Sequence, residues 1–171
     1  MNKIITIGRE FGSGGREFGR RLSETLGVAY YAQEIISEIA KRTSLSEKYV
    51  QAVVEYRPSF SFPIHIGRSF YPSANPAFEQ TMTVYQEQAR IITEMAAKSD
   101  CVIVGRCADY ILQEYRPFRI FVYADMASKI KRCREKGPEE EALSEKELRQ
   151  KISGIDKKRA KYYAFYTGHA W

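Results

Sequence analysis

The first 26 residues place a strand, a glycine-rich turn and a helix in immediate succession. Residues 3–8 are rich in β-branched side chains, and four of the eight residues 8–15 are glycines. Apolar side chains then recur at four-residue spacing over residues 16–26, which predicts a helix that stops at Gly27. A strand that passes through a tight turn directly into a helix favours an α/β fold.

The turn has the composition of a phosphate-binding loop. It consists of Gly12, Ser13, Gly14 and Gly15, and Arg16 begins the helix. Glycines allow several backbone N–H groups to point at one anion, and the N-terminus of the helix adds partial positive charge. We therefore predict that these residues bind the phosphates of a cofactor. The alternative is a strand-to-helix turn of the same composition that binds no ligand.

Strands and helices alternate through the rest of the chain. Further strands are predicted at 28–31, 101–105 and 118–123, and helices at 33–42, 46–54, 78–98, 108–113, 126–136 and 144–166. This alternation predicts a mainly parallel sheet flanked by helices on both faces. The unbroken apolar run at 101–104 fits a strand that is covered on both sides.

The chain is predicted to form a single domain over residues 1–171, with one irregular insert at 57–76. That insert contains four of the six prolines and has no clear periodicity. The last helix has a clear start, because Ser144 and Glu147 have the spacing of a capping box. Long irregular segments within compact domains are usually functional.

Composition limits the kinds of partner to expect. The formal net charge of +6 fits polyanionic ligands, although a solvated basic surface would give the same balance. No apolar run reaches the roughly 18 residues that a membrane span needs, and the N-terminus does not resemble a signal peptide. We therefore expect a cytoplasmic protein without a membrane partner. The three cysteines have no CxxC spacing, which argues against a zinc site.

Three blocks of sequence carry a family resemblance. Residues 4–17, 101–112 and 155–168 together resemble the cytidylate kinase-like family, a branch of the nucleoside monophosphate kinases. The resemblance implies a P-loop kinase fold, ATP and Mg²⁺ as cofactors, and a nucleoside monophosphate such as CMP as the phosphoryl acceptor. Members of that family usually have one more strand after the last block, so the sheet is expected to lack its last strand.

The turn departs from the standard Walker A motif. When that motif is laid without gaps on residues 9–16, Gly14 falls on a required glycine and Gly15 on the lysine, and no hydroxyl residue follows, because Arg16 and Glu17 come next. The lysine normally contacts the β- and γ-phosphates, and the hydroxyl ligates magnesium. We hypothesise that Arg16 supplies the missing cation and that Glu17 binds the metal. The alternative is a loop that binds nucleotide without catalysing transfer.

The resemblance also implies an acceptor site. Arg106 follows the predicted strand at 101–105, at the end where open α/β sheets bind ligands, and matches the arginine that contacts the acceptor nucleotide in cytidylate kinases. Asp109 is the candidate for the aspartate that those kinases place beside it. Ala32 stands where relatives have another aspartate, so a carboxylate that helps to select cytosine is missing.

A helical lid is predicted over residues 126–166. In kinases of this class the arginines of the lid neutralise the phosphoryl group in transfer. Arg132 and Arg159 match such arginines, and Asp156 precedes Arg159 by three residues, so that it can orient the guanidinium on one helical face. The resemblance therefore gives Arg16, Arg132, Asp156 and Arg159 catalytic roles.

Two alternatives concern nucleic acid. Residues 35–54 resemble a helix-turn-helix, but the turn lacks glycine and the second helix carries Glu47 and Glu55 and few base-reading side chains. The aromatic cluster at 162–166 fits core packing, with base stacking as the other interpretation. We expect nucleotide substrates rather than nucleic acid as partners, and the sequence carries no signal for an oligomeric state.

Overall fold

The computed structural model describes residues 2–55, 76–136 and 142–171. The predicted insert at 57–76 lies outside these residues except for its last position, which begins a helix. The predicted lid region at 126–166 is described except for residues 137–141.

The core is a parallel sheet, as predicted. Its strands are β1 (Ile4–Arg9), β2 (Ala29–Tyr31), β3 (Cys101–Val104) and β4 (Phe118–Val122), in the order β2-β3-β1-β4. The register pairs Ile4 with Cys101 and Ile5 with Phe118. The two central strands β1 and β3 therefore end side by side, and the segments that follow them meet at one edge of the sheet.

The helices begin and end close to their predicted positions. They are α1 (Gly15–Leu26), α2 (Glu34–Thr43), α3 (Glu47–Glu55), α4 (Pro76–Lys98), α5 (Ala108–Ile111), α6 (Met126–Lys136) and α7 (Glu145–Thr167). The segment predicted as one helix at 108–113 is shorter, because a 3-10 helix takes over at Gln113–Tyr115. Both bonds of the predicted capping box form at Ser144 and Glu147. No described helix combines the length and apolar character that a membrane crossing requires.

Helices cover both faces of the sheet because successive strand side chains alternate in direction. Ile103 packs with α2, α3, α4 and α7 on one face, through residues such as Ile36 and Ile92. Val102 and Val104 pack on the other face, where Leu22 of α1 covers them. A third cluster lies between α6 and α7 and consists of Ile130, Cys133, Leu148 and Ile152, with Phe11 packed against it.

The segment that resembles a helix-turn-helix belongs to the first of these cores. Its apolar positions, Ile39, Val50, Val53 and Val54, are all buried there. Packing thus accounts for the spacing of these residues in α2 and α3. Three of the four aromatic residues of α7 also pack on this core as predicted, and the ring of Tyr166 stacks on Tyr85 with centroids 3.9 Å apart. The fourth, Phe165, is 38% exposed.

Candidate functional site

The glycine-rich turn between β1 and α1 has a backbone that favours glycine. Gly12 has φ 74° and Gly14 has φ 87°, both in the left-handed region. Side chains with a Cβ are disfavoured there, which explains the two glycines. The turn reverses the chain so that α1 begins at Gly15, directly beyond the end of β1.

Several amides of this turn have no protein acceptor. Glu10 N donates to Val122 O at 3.0 Å and Phe11 N donates to Asp156 Oδ1 at 2.7 Å, which fixes the start of the turn. Within the described part of the chain, the N–H groups of residues 12–14, 16 and 17 donate to no acceptor. Free amides grouped at the N-terminus of a twelve-residue helix form a site for an anion such as a phosphate.

Close packing explains why no lysine stands at position 15. A Cβ on Gly15 would lie 2.5 Å from Cβ of Arg9 and 3.2 Å from Cβ of Val122. Gly15 is buried, so α1 reaches the end of the sheet only because this residue has no side chain. Packing at this position therefore leaves no room for the lysine of a standard Walker A motif.

A cavity of about 590 Å³ opens beside the turn, and we call it the loop cavity. Its cations are Arg16, Arg20, Arg132 and Lys136. The guanidinium carbon of Arg132 lies 3.0 Å from where a Cβ on Gly14 would be, so this predicted lid residue rests on the turn. The exposed Arg16 also lines the cavity, on the same side as the free amides.

Glu17 is surrounded by cations. Its carboxylate lies 2.6 Å from Arg21 and 3.2 Å from Arg132, and it also accepts a hydrogen bond from Lys136. The bond from Lys136 is the main cause of a lowered pKa for the Glu17 carboxyl. No group of three or more acidic, histidine or cysteine side chains among the described residues fits a metal ion. Magnesium in kinase sites is held by one or two carboxylates together with substrate phosphates and water, so Glu17 would be such a ligand beside a bound nucleotide, and this role stays a prediction.

A buried ion cluster ties the turn to the lid helices. Lys129 of α6 is 5% exposed, and its ammonium lies 2.7 Å from Glu10 and 2.9 Å from Asp156. Burial disfavours the charge on Lys129, yet the hydrogen bonds to both carboxylates leave its pKa raised. Asp156 also accepts the Phe11 amide, so one carboxylate links α6, α7 and the turn.

Asp156 and Arg159 share one face of α7, as their spacing predicts, but they contact different partners. Asp156 binds Lys129 and the Phe11 amide. The guanidinium of Arg159 lies 3.6 Å from Glu55 and 5.7 Å from the centroid of the Phe11 ring. Asp156 thus positions the turn, whereas Arg159 points to a second cavity.

This second cavity has a volume of about 330 Å³, and we call it the arginine cavity. Arg9, Arg106 and Arg159 line it together with Glu55, which lies 3.9 Å from Arg106 and 3.6 Å from Arg159. Arg106 is only 6% exposed, and its Nε has no hydrogen-bond acceptor among the described residues. An unsatisfied buried donor of this kind is costly unless a ligand accepts its hydrogen bond.

An unusual backbone places Arg106 in this cavity. Gly105, Arg106 and Cys107 have φ values of 73°, 63° and 54°, so three successive residues are left-handed. Such a conformation costs about 1–2 kcal/mol for each residue other than glycine. The buried amide of Gln88 supports the turn by donating to Arg106 O at 2.9 Å. Strain of this kind is typical of functional sites.

The arginines of the cavity repel one another. Burial is the main cause that lowers the pKa of Arg106, to about 10, and the charges of Arg159 and Arg16 contribute. Burial also lowers the pKa of Arg9, followed by the charges of Arg159, Arg106 and Arg16. A bound anion would relieve both the desolvation and the repulsion. The arrangement is therefore suited to a small ligand with more than one negative charge.

Asp109 also lines the arginine cavity, as predicted for the acceptor side. Its carboxylate accepts a hydrogen bond of 2.7 Å from the Tyr163 hydroxyl. Burial, followed by this bond, raises the pKa of Tyr163. A neutral tyrosine and a carboxylate on one wall offer polar contacts to the uncharged part of a ligand.

The structure thus groups the predicted residues into two sets. Gly12, Gly14, Arg16, Glu17 and Arg132 line the loop cavity, with Ser13 and Gly15 in the same turn. Arg106, Asp109 and Arg159 line the arginine cavity, and Asp156 lies in the ion cluster.

Sequence reasoning missed charged residues of both the ion cluster and the arginine cavity, among them Arg9, Glu10, Glu55 and Lys129. One signal was present for Lys129, because it lies four residues before Cys133 on the buried face of α6.

Comparisons with known proteins bear on the family and the fold of the chain. The model of the "Cytidylate kinase-like family" matches residues 4–171. A solved structure of an uncharacterized protein from Eubacterium ventriosum ATCC 27560 is 27% identical, with a TM-score of 0.68 over 99% of this chain and 81% of that one. A shikimate kinase from Acinetobacter baumannii, solved with shikimate, is 16% identical, with a TM-score of 0.50 over 96% and 79% of the two chains, which supports the fold. No curated protein matches the sequence.

Proposed function

The chain belongs to the cytidylate kinase-like family, and we propose that it transfers the γ-phosphate of ATP to a nucleoside monophosphate such as CMP. The observation that carries this proposal is the pair of cationic cavities at the ends of β1 and β3. One is built on free amides at a helix N-terminus and the other on buried arginines. A transferase needs such a pair, because donor and acceptor must be held together.

The loop cavity is the proposed donor site. The free amides of residues 12–14, 16 and 17 would hold the phosphates of ATP, and Arg16 and Arg132 would add positive charge beside them. ATP supplies the phosphoryl group. Because the amides come from the backbone, this binding does not depend on the missing lysine.

The arginine cavity is the proposed acceptor site. Arg106 and Arg159 would bind the phosphate of the nucleoside monophosphate, and Asp109 would contact its nucleoside part. A volume of about 330 Å³ falls at the lower end of the range for small-molecule sites. This size fits one mononucleotide better than an oligonucleotide, so a nucleotide substrate is favoured over nucleic acid.

The proposed reaction needs no general base. A phosphate oxygen of the dianionic acceptor attacks the γ-phosphorus of ATP and forms a new P–O bond. The bond to the bridging oxygen breaks, and its electron pair leaves with ADP. Negative charge on the group in transfer is the main obstacle, and Arg132 and Arg159 of the lid helices, which line the two cavities, would stabilise it.

A second candidate function is nucleotide binding without transfer. The observation that favours it is Gly15, whose packing against Arg9 excludes a lysine at the usual catalytic position. Such a protein would bind ATP in the loop cavity and act through that binding alone.

A transfer assay separates the two functions. The protein is incubated with ATP labelled at the γ-phosphate and each nucleoside monophosphate in turn, and the label is followed into the nucleoside diphosphate. We expect transfer to at least one monophosphate, and a strong loss in Arg106→Ala but not in Arg149→Ala. Arg149 is an exposed residue of α7 paired with Glu145, so it is a matched control. Saturable ATP binding without transfer to any monophosphate would favour the second function.

A further inference from the structure

We propose that Arg9 is the catalytic cation that replaces the missing lysine, by binding the phosphoryl group as it passes from the loop cavity to the arginine cavity. This inference rests on the proposed function, since it concerns the step between its two sites. Nothing in the turn motif suggests this role, because Arg9 precedes the glycines and ends β1.

The path of the Arg9 side chain supports the assignment. Its Cβ lies 2.5 Å from where a Cβ on Gly15 would be, so the stem passes beneath the first residue of α1. Its Nη1 lies 1.8 Å from where a Cβ on Gly105 would be, so the guanidinium ends at the turn that carries Arg106. The side chain therefore spans the distance between the free amides and the acceptor arginine.

The two glycines show that this path is built into the fold. Any side chain at position 15 or 105 would displace Arg9, and both positions are glycine. Gly105 also has φ 73°, which favours glycine independently. Gly15 has no positive φ, so its backbone conformation does not itself require glycine. Glycine at position 15 is instead explained by the Arg9 side chain, because a Cβ there would overlap with it.

The charge on Arg9 is not neutralised by a close partner. Among residues 2–55, 76–136 and 142–171, no carboxylate oxygen lies within 4.0 Å of its guanidinium, and Glu55 reaches only Arg106 and Arg159 at 3.9 Å and 3.6 Å. Arg9 is half-buried and lines the arginine cavity. A half-buried cation that lies among other cations and lines a cavity is preorganised to bind an anion in that cavity.

The proposed step is the transfer described above. In the ground state the moving phosphoryl group belongs to ATP, and after transfer it belongs to the nucleoside diphosphate. Arg9 contacts the equatorial oxygens of that group while the bond to the attacking oxygen forms and the bond to the leaving oxygen breaks. Its guanidinium keeps its protons throughout, and it acts by charge and hydrogen bonds alone.

This role makes a specific claim about ligands. Arg9 should matter most for a molecule that fills both cavities and the space between them, and much less for either nucleotide alone. A dinucleoside pentaphosphate with one adenosine and one cytidine is such a molecule. The test variant is Arg9→Met, which keeps most of the stem but removes the charge, and Arg9→Lys keeps the charge without the planar fork.

The experiment measures the affinity of each variant for the pentaphosphate, for ATP and for CMP by isothermal titration calorimetry. We expect Arg9→Met to bind the pentaphosphate about 100-fold more weakly, with changes of about threefold or less for ATP and CMP. Arg9→Lys should show an intermediate loss. In the transfer assay, kcat should fall with little change in KM, and guanidinium ion at non-denaturing concentration should partly restore kcat in Arg9→Ala but not raise it in the wild type.

The outcomes are distinguishable. If Arg9→Met weakens the binding of CMP as strongly as the binding of the pentaphosphate, Arg9 is a ligand of the acceptor phosphate and the inference is wrong. If all three affinities change equally, or not at all, Arg9 is a scaffold residue and the inference is again wrong. If the wild type binds no pentaphosphate and transfers no phosphate, the proposed function fails first and the inference fails with it. Melting temperatures identify a misfolded variant. If Arg9→Met is misfolded, the affinities of Arg9→Lys for the same three ligands are compared with those of the wild type.

Discussion

In the loop cavity Arg132 and Lys136 stand at the surface and already face a carboxylate, whereas in the arginine cavity Arg106 and Arg159 are largely buried and share one. The side chains of Arg132 and Lys136 are 43% and 53% exposed, and both contact Glu17. Those of Arg106 and Arg159 are 3% and 13% exposed, and both lie near Glu55. The first set can move when a ligand arrives, while the second is fixed by packing before it arrives.

This difference matches what each ligand demands. In the proposed function, backbone amides would hold the donor phosphates, so the surrounding cations would need only to be mobile and close. The acceptor would depend on preorganised side chains, which are costly to desolvate but lose little entropy on binding. The changes below, from the largest expected effect to the smallest, test whether the two sides differ in this way.

Lys129→Met should have the largest effect, because it breaks the buried ion cluster that anchors the turn. It leaves the carboxylates of Glu10 and Asp156 without their shared cation. Loss of one partner of a buried ion pair costs about 3–5 kcal/mol in the free energy of unfolding. Urea denaturation measures this loss, with the exposed Lys131→Met of the same helix as the control. Equal stability of the two variants would show that the cluster does not hold the turn in place.

Gly15→Ala tests whether packing at the end of β1 excludes a side chain. The new Cβ would lie 2.5 Å from Cβ of Arg9, so the variant should lose about 1–3 kcal/mol of unfolding free energy. Gly154→Ala in α7 is the matched control, because nothing lies within 4 Å of its new Cβ and alanine favours a helix. Thermal unfolding should show opposite signs for the two changes. A stabilised Gly15→Ala would contradict the packing account.

Arg106→Ala separates the two cavities by ligand. It removes a buried charged donor, which should weaken binding of a nucleoside monophosphate by about 10- to 100-fold. ATP binding should change by no more than about twofold, because the free amides of the turn are untouched. Calorimetric titration with each nucleotide measures both effects. Equal loss for the two ligands would mean that Arg106 serves one shared phosphate site.

Glu17→Gln should have the smallest effect, and one of opposite sign. It removes the carboxylate that faces Arg132 and Lys136, so these exposed cations become more available to the donor phosphates. ATP affinity should rise by about two- to threefold at low salt, and the gain should shrink as salt is added. If affinity instead falls, and falls only when magnesium is present, Glu17 acts as the metal ligand that the sequence predicted.

The sequence was sufficient for the local features. The strand, the turn with Gly12 and Gly14, and the helix follow from residues that are neighbours in the chain, as does the capping box at Ser144. Predicted helices and strands lie close to their observed bounds because their periodic apolar faces are also local signals.

The missed residues depend on contacts between distant parts of the chain. Lys129 meets Glu10 and Asp156 only after α6 and α7 fold against the turn. The role of Glu55 depends on its contacts with Arg106 and Arg159, which lie in other parts of the chain. Spacing within one helix predicts that Asp156 and Arg159 share a face, but it cannot reveal which partner each one meets.

The most direct test of two separate sites is a calorimetric titration of CMP into the protein saturated with a non-hydrolysable ATP analogue. The account predicts one CMP bound per chain, with an affinity at least as high as without the analogue. It also predicts that Arg106→Ala weakens this binding by about 10- to 100-fold while the analogue stays bound. Displacement of the analogue by CMP, or of CMP by the analogue, would contradict the account, since the two nucleotides would then occupy one cavity.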